Sequence, residues 1–242
     1  MQAGWRKLTI AFVFGAAAAL PGGAGAKAPD KQVLTPQSED ALVVIKTDFW
    51  QPAPSMKSAF KIALSRFDPA ERKLMGGPFS GVLIEAQRKN FADGYLIKPI
   101  KPGRWVFQSY SQQDKWALCF NASSWQFDVK PGEVVYLGEF DALSHRDQLT
   151  EQAMRSGKVM ISGYGFADFF DLPEGPRLKP IDETQLDAVR SAIARHAPQV
   201  TAPVRAADYS PAQFGTGSTL FAERRCGGYF TTKAKTKGKT AS

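Results

Sequence analysis

The strongest constraint on the fold is a series of short aromatic and β-branched segments between residues 104 and 140. Within them large apolar residues alternate with polar or small ones, as in strands that bury one face. Pro-Gly turns precede two of the segments, at residues 102–103 and 131–132. Such runs at short intervals are typical of an antiparallel β-sandwich or barrel. The segments are RWVFQSY (104–110), WALCF (116–120), WQFDV (125–129) and EVVYLGEF (133–140).

The last of these segments is apolar on both faces. Alternation places Val134, Tyr136 and Phe140 on one face and Val135 and Leu137 on the other. A strand with two apolar faces is covered on both sides, whereas a solvated strand keeps one polar face. The segment is therefore predicted to be a central strand that follows a Pro-Gly turn.

The rest of the chain divides into regions of different composition. Four β-rich segments precede the series, at residues 41–46, 58–67, 79–86 and 95–100, whereas residues 142–156 are ambiguous between a loop and a short helix and residues 158–166 suit a strand. The predicted fold class is mainly β, an antiparallel β-sandwich with a small C-terminal α/β extension. The predicted regions are a signal peptide (1–26), a polar leader (27–40), the β-sandwich domain (41–141), the extension with one amphipathic helix and an extended wrap (142–228), and a basic disordered tail (229–242).

One amphipathic helix is predicted within the extension. Asp182 and Gln185 have the spacing of a capping box, which marks a helix start. An apolar stripe follows, and Pro198 ends the pattern. Such a stripe buries against another element, most simply the sheet. The stripe consists of Leu186, Val189, Ile193 and Ala197.

The first residues have the pattern of a bacterial signal peptide. Arg6 and Lys7 precede the apolar run 8–20, and small residues at 24–26 suit cleavage before Lys27. The apolar run is shorter than the roughly 20 residues that span a membrane. We therefore expect a periplasmic or secreted protein with no transmembrane segment after cleavage, and an uncleaved anchor is the less favoured alternative.

The positive charge is concentrated at the C-terminus. The formal net charge is +8, and loss of Arg6 and Lys7 with the signal peptide leaves +6. Residues 221–242 contribute +5 of this, so the remainder is near neutral. A nucleic-acid-binding domain carries its basic surface on the fold itself, so specific nucleic-acid binding is disfavoured. For the tail, a solubilising role is favoured over weak, screened contact with anionic envelope components.

Two cysteines remain, Cys119 and Cys226. In an oxidising compartment a pair usually bridges, so a Cys119–Cys226 disulfide is predicted. The alternative is a buried Cys119 on its strand and a free Cys226. If formed, the bond closes a long loop and stabilises by about 4 to 5 kcal/mol in the chain-entropy model.

Neither histidine has the sequence context of a metal or catalytic site. His196 lies in the last turn of the predicted helix, where an imidazole suits the helix dipole, and His145 is expected to be an exposed loop residue. No second histidine or cysteine stands at ligand spacing, so no metal and no cofactor are predicted.

No catalytic residue is predicted either. Glu133 and Glu139 share one strand but stand about 20 Å apart at ~3.3 Å per residue, too far for a catalytic pair. Cys119 lies in an apolar strand and should be inert. The sequence GTGS (215–218) lacks the lysine and the strand–helix context of a phosphate loop, and a flexible turn is favoured.

The tryptophans are mostly assigned to the core. Trp105, Trp116 and Trp125 alternate with polar or small residues, which is typical of core positions in a sheet, although such aromatics also line some sugar- or peptide-binding faces. Trp50 lies in a proline-rich loop and is the better candidate for an exposed anchor.

The order KPGRW, WALCF, WQFDV and KPGEVVYLG resembles the hairpin series of uncharacterised exported bacterial β-sandwich proteins. These are similar in outline to transthyretin-like or carboxypeptidase regulatory-like modules. The resemblance covers about residues 41–141 and rests on structural motifs. It implies a prealbumin-like sandwich and no catalytic residues.

Three functional hypotheses follow. The first is an exported, non-catalytic envelope protein that binds a partner or ligand through a sandwich edge or loop. The alternative is a periplasmic hydrolase whose serine, histidine and aspartate converge only in the fold. A structural or assembly factor is the third. They are distinguished by whether either histidine lies within hydrogen-bond reach of a serine, cysteine or carboxylate in a pocket.

Overall fold

The computed structural model describes residues 29–47, 60–75, 81–86, 91–112, 116–155, 168–171, 174–214, 222–224 and 230–232. The predicted signal peptide, the strand at 158–166 and Trp50 lie outside the described residues. The strands in chain order are β1 (Ala41–Thr47), β2 (Phe60–Asp68), β3 (Lys73–Met75), β4 (Val82–Ala86), β5 (Phe91–Ala92), β6 (Tyr95–Ile100), β7 (Gly103–Gln112), β8 (Trp116–Cys119), β9 (Ser124–Val129), β10 (Val134–Phe140), β11 (Asp168–Asp171), β12 (Val204–Ala206), β13 (Ser210–Ala212), β14 (Ala222–Arg224) and β15 (Phe230–Thr232). The helices are α1 (Ala142–Arg155) and α2 (Glu183–His196), and Pro29–Lys31 form a 3-10 turn.

Two sheets build the body of the protein. The first has the strand order β12-β10-β1-β6-β5. The second has the order β11-β8-β7-β2-β3, with β9 also beside β7, β13 beside β9 and β4 beside β2. The pairs β1–β10, β10–β12 and β8–β11 are parallel, and the other pairs of described strands are antiparallel. The predicted fold class, mainly β with an antiparallel sandwich and a small α/β extension, is confirmed.

The main core lies between the two sheets. Alternate residues of β1 and β10 face alternate residues of β2, β7 and β9, as the sequence periodicity predicts. Trp105 is 2 % exposed within this core, and Trp125 is partly buried against it. Trp116 lies on β8, and its side chain is not among the described ones. The largest side chains of this core are Phe60, Trp105, Phe107, Tyr110, Phe120, Phe127 and Phe140.

Helix α2 covers the outer face of the first sheet. Its buried stripe contacts Leu42, Val44, Val134 and Tyr136. Asp182 is the N-cap, and the reciprocal capping box with Gln185 is present. The predicted helix, its start and its packing against the sheet are thus confirmed. The stripe consists of Leu186, Val189, Ala192 and Ile193, with Ala197 just beyond the last turn.

Strand β10 lies in the interior of the first sheet, between β1 and β12, and is covered on both faces. The predicted face of Phe140 is wrong, because it joins Val135 and Leu137 in the core between the sheets. The pairing with β1 shifts by one residue between Tyr136 and Glu139, and Gly138 adopts a φ of 89° there. This β-bulge inverts the alternation for the end of the strand.

The leader is anchored to the body more firmly than its polar composition predicts. Leu34 is 2 % exposed, packs in the α2 layer and accepts a hydrogen bond of 2.8 Å from the Thr201 amide. The Gly132 amide, in the turn before β10, donates to the Asp40 carbonyl at 2.9 Å. Residues 34–40 therefore contact both β10's turn and the segment after α2.

The C-terminal extension supplies strands to both sheets. β12 pairs with β10 in the first sheet, whereas β11 and β13 pair with β8 and β9 in the second. Arg205 of β12 binds both carboxylate oxygens of Glu133, at 2.8 and 2.5 Å, and the Asp128 carbonyl at 2.7 Å. Further along, β14 and β15 pair with each other, which places Phe230–Thr232 of the predicted tail in a strand.

We predict that Gly132→Ala destabilises the fold more than Gly94→Ala. Both glycines have positive φ, 66° and 85°, so alanine costs about 1 to 2 kcal/mol at either position. A Cβ at residue 132 would also overlap the Pro36 carbonyl, whereas at residue 94 the nearest atom is 4.0 Å away. We expect a loss of about 3 kcal/mol or more for Gly132→Ala in urea unfolding. Equal losses would contradict the contact between the leader and this turn.

Candidate functional site

A polar cleft of about 150 Å³ lies at one edge of the sandwich. Residues 207–209, here called the strap, connect β12 of the first sheet to β13 of the second and form one wall. β7 and β9 form the other wall. The lining residues are Arg104, Gln126, Phe127, Asp128, Asp208, Tyr209 and Ser210.

The alternation of β9 and a tyrosine anchor place these polar groups at the surface. Phe127 and Val129 point into the core, so Gln126 and Asp128 face the other way. The ring of Tyr209 packs against that of Phe127, with centroids 5.9 Å apart. The Tyr209 hydroxyl donates to the Leu137 carbonyl at 2.7 Å, and burial raises the pKa of this hydroxyl. The anchored tyrosine fixes the strap against the sandwich.

Arg104 and Asp128 form a bidentate pair across the cleft wall. They are opposite each other in the β7–β9 pairing, with Nε–Oδ1 at 2.8 Å and Nη2–Oδ2 at 3.0 Å. The hydrogen bonds between the two side chains lower the pKa of Asp128 and raise the pKa of Arg104. Both groups are partly exposed, so the pair contributes no more than about 1 kcal/mol to stability.

Two acceptors of the cleft lack a donor among the described residues. The Gln126 amide nitrogen donates to the Pro211 carbonyl at 3.2 Å, and this fixes the orientation of the amide because a carbonyl only accepts. The Gln126 Oε1 atom is then shielded from water without a donor from the described part of the chain. The exposed Asp208 carboxylate forms no ion pair with a described residue either. The lining carries two carboxylates and one guanidinium.

His145 is fully buried, which corrects the prediction of an exposed loop residue. It lies in the first turns of α1, a helix that the sequence left ambiguous, and its ring stacks on Phe140 with centroids 5.3 Å apart. Phe120 and Tyr110 contact the same ring. Exposure was predicted because the neighbours of His145 in the sequence, Arg146 and Asp147, are charged. The signal that could have indicated the helix is Asp141, whose carboxylate accepts the Ser144 amide at 3.0 Å as a cap.

The surroundings of His145 keep the imidazole neutral. Its Nε2 accepts the Arg177 amide at 2.9 Å, and Nδ1 has no hydrogen-bond partner among the described residues. Burial lowers the pKa of His145 to about 4, and the nearby Arg177 charge adds to this, against opposing contributions from Asp141 and Glu174. The Arg177 guanidinium binds Ser144 Oγ at 2.6 Å and Glu174. The histidine therefore acts as a buried acceptor that packs α1 on the sandwich.

His196 lies in the last turn of α2, as predicted, and connects the helix end to a hairpin turn. Its Nε2 is 2.9 Å from Asp93 Oδ2, and Arg195 binds the same carboxylate. The hydrogen bond from His196 lowers the pKa of Asp93. Asp93 and Gly94 both have positive φ, as the Asp-Gly of a type I′ hairpin does, so this dipeptide is the sequence signal for the turn.

The described residues place no nucleophile beside either histidine. His196 contacts a carboxylate at an exposed turn, away from the described pockets, and no described serine or cysteine bonds to it. Among the described residues, His145 bonds only to a backbone amide. Glu133 and Glu139 are likewise separate, the first bound by Arg205 and the second by Lys46 and Lys179. The hydrolase alternative gains no support from these contacts.

The remaining predicted features fall partly outside the described residues. Cys119 is 4 % exposed on β8, and no free cysteine occurs in the described part of the chain. Its predicted partner Cys226, the GTGS segment and residues 233–242 are beyond what the structure describes, so the disulfide stays a prediction. In the described ranges no cluster of three or more histidine, cysteine or acidic residues has the geometry of a metal site.

A second, apolar opening lies between the sheets near Phe60, Tyr110 and Phe140. Its volume is about 10 Å³, which is room for about one water molecule. It is therefore too small for an organic ligand. None of the helices among the described residues has the length and hydropathy needed to cross a membrane.

Comparison with known proteins gave no match: no family model, no curated protein and no solved structure matches this chain.

We predict that acid destabilises the fold through His145. The folded pKa is about 4 against an ordinary 6.5, so between these values the unfolded chain binds a proton that the folded chain does not. The contribution of His145 to the free energy of unfolding is fully present above pH 6.5 and is lost as the pH falls to about 4. The total loss is about 3 kcal/mol.

Urea unfolding at several pH values in that window measures this loss. His145→Phe keeps an aromatic ring but does not titrate, so its stability should fall by about 3 kcal/mol less than that of the parent. His196→Gln, which removes the exposed histidine, should retain the parent's loss. Parallel pH profiles for the parent and His145→Phe would contradict the assignment.

Proposed function

We propose that this chain is an exported, non-catalytic envelope protein that binds a ligand or partner at the polar cleft. The observation that carries the proposal is a recess lined by charged and polar groups, in which the exposed Asp208 carboxylate has no ion-pair partner among the described residues. A carboxylate at the rim of a recess offers strong acceptors to a ligand that carries N–H donors, because charge-assisted hydrogen bonds are stronger than neutral ones.

The size of the cleft supports recognition of a small group. Sites for drug-sized ligands measure roughly 300–1,000 Å³, whereas a cavity of about 150 Å³ accommodates a benzene ring. A cleft of this volume therefore takes a compact polar molecule or a single side chain of a partner. The strap and β13 lie at the edge of the second sheet, where a partner protein has access.

The proposed location rests on the N-terminal signal pattern and the cysteine pair. Cleavage before Lys27 would release the chain into the periplasm or the medium, and the resemblance to exported transthyretin-like sandwiches supports the same location. The predicted Cys119–Cys226 bond suits that oxidising compartment. Cofactors and metals have no role in this proposal.

Binding at the cleft is tested by NMR titration of the 15N-labelled exported chain with small polar probes. The probes are methylguanidinium, propylammonium, acetate and N-methylacetamide. We expect at least one to shift the amides of residues 126–128 and 208–210. Ser210→Trp should fill the cleft and abolish the shifts, whereas Ser191→Trp, on the exposed face of α2, should leave them. No shift at the cleft with any probe would refute this site.

A parallel assay addresses the hydrolase alternative. The exported chain is incubated with p-nitrophenyl acetate, and we expect turnover no faster than that of His145→Phe or His196→Gln. Turnover that either substitution abolishes would overturn the non-catalytic assignment.

Export and the disulfide are tested on the same preparation. Expressed with its own N-terminus in a Gram-negative host, the periplasmic protein should begin at Lys27 and resist alkylation until it is reduced under denaturing conditions. Reduction should then allow two alkyl groups to add. An intact Met1 terminus, or two alkylated thiols before reduction, would contradict export or pairing respectively.

A further inference from the structure

We infer that the polar cleft binds a positively charged nitrogen group, an alkylammonium or alkylguanidinium, in preference to a neutral or anionic group. The inference rests on the proposed binding function and specifies the chemistry of its ligand. It follows from the charge, the hydrogen-bonding capacity and the size of the cleft.

The charge of the lining favours a cation. Arg104 already binds Asp128 through two of its nitrogens, so the positive and negative charges of this pair neutralise each other. The next guanidinium, that of Arg205, is bound to both oxygens of Glu133 and attracts Asp208 at longer range without forming an ion pair with it. The Asp208 carboxylate at the rim then remains without an ion-pair partner among the described residues. An entering cation would supply that partner, whereas an anion would be repelled by it.

The hydrogen-bonding capacity points the same way. The accessible position without an ion-pair partner among the described residues is an acceptor, the exposed Asp208 carboxylate, with the adaptable Ser210 hydroxyl beside it. Ammonium and guanidinium groups are donors only, with three and five N–H bonds. Such a group would donate hydrogen bonds to the Asp208 carboxylate, whereas a carboxylate ligand would bring only further acceptors to it.

The size of the cleft is consistent with the charged end of a side chain. Methylguanidinium has five non-hydrogen atoms and is smaller than the benzene that a cavity of about 150 Å³ holds. Arginine is also the residue whose planar donors match carboxylate geometry. The same chemistry occurs in free small amines and in arginine or lysine side chains of a polypeptide.

The NMR titration above separates this inference from the proposed function. We expect methylguanidinium and propylammonium to shift the amides at 126–128 and 208–210 with a dissociation constant on the order of 1 mM, and acetate to leave them unchanged. Shifts there with acetate or N-methylacetamide but not with the cations would overturn the inference, while the binding function would stand.

Two variants test the charge argument. Asp208→Asn should weaken methylguanidinium binding about tenfold, as expected for loss of a charge-assisted hydrogen bond, and Asp30→Asn, an exposed carboxylate outside the cleft, should leave it unchanged. Asp128→Asn combined with Asp208→Asn leaves Arg104 unmatched, so acetate should now bind and methylguanidinium should not. Unchanged cation binding in Asp208→Asn would refute the role of this carboxylate.

A titration with peptides distinguishes the two sources of the cation, a free small amine and a side chain of a polypeptide. Acetyl-Gly-Gly-Arg-Gly-Gly-amide is titrated beside methylguanidinium on the same chain. If the peptide binds more tightly than methylguanidinium, the inference is supported with a polypeptide side chain as the ligand. If it binds equally or more weakly, the inference is supported with a free amine as the ligand. Equal shifts at the cleft with a matched peptide that carries glutamate in place of arginine would contradict it.

Discussion

The fold depends on the burial of both faces of strand β10. Val135 and Leu137 pack between the sheets, whereas Val134 and Tyr136 pack beneath α2. All four side chains are fully buried, and each contributes roughly 1.5–3 kcal/mol of hydrophobic stabilisation. Because β10 pairs with both β1 and β12, the N-terminal strand and the C-terminal extension are held by the same element.

The candidate site is a consequence of that arrangement. β12 pairs with β10 in the first sheet and β13 pairs with β9 in the second, so the strap between them crosses from one sheet to the other. Tyr209 anchors the strap to the Leu137 carbonyl of β10, and Arg205 binds Glu133 at the start of the same strand. These contacts hold the strap beside β9 and so form the cleft.

Sequence patterns predicted much of the fold because it rests on local signals. The aromatic alternation predicted strands at nearly the residues where they are observed, and the D-x-x-Q capping box predicted the start of α2. Alternation failed at Phe140 because the Gly138 bulge adds a residue that periodicity does not reveal. His145 was misplaced because its burial comes from tertiary contacts with Phe120 and Phe140, whereas its sequence neighbours are polar.

The cleft could not be predicted from sequence for a related reason. Arg104 and Asp128 become neighbours only through the β7–β9 register, and Asp208 reaches them only through the strap. The polar positions of β9 were identified, but their partners lie 24 and about 80 residues away in the chain. Long-range pairing of this kind leaves no periodic signal.

The central claim is that a cationic group occupies the space between β9 and the strap. Intermolecular nuclear Overhauser contacts between methylguanidinium methyl protons and the protein test it most directly. The account predicts contacts to protons of Gln126, Asp128 and Asp208. Contacts confined to other surfaces of the folded protein would contradict it.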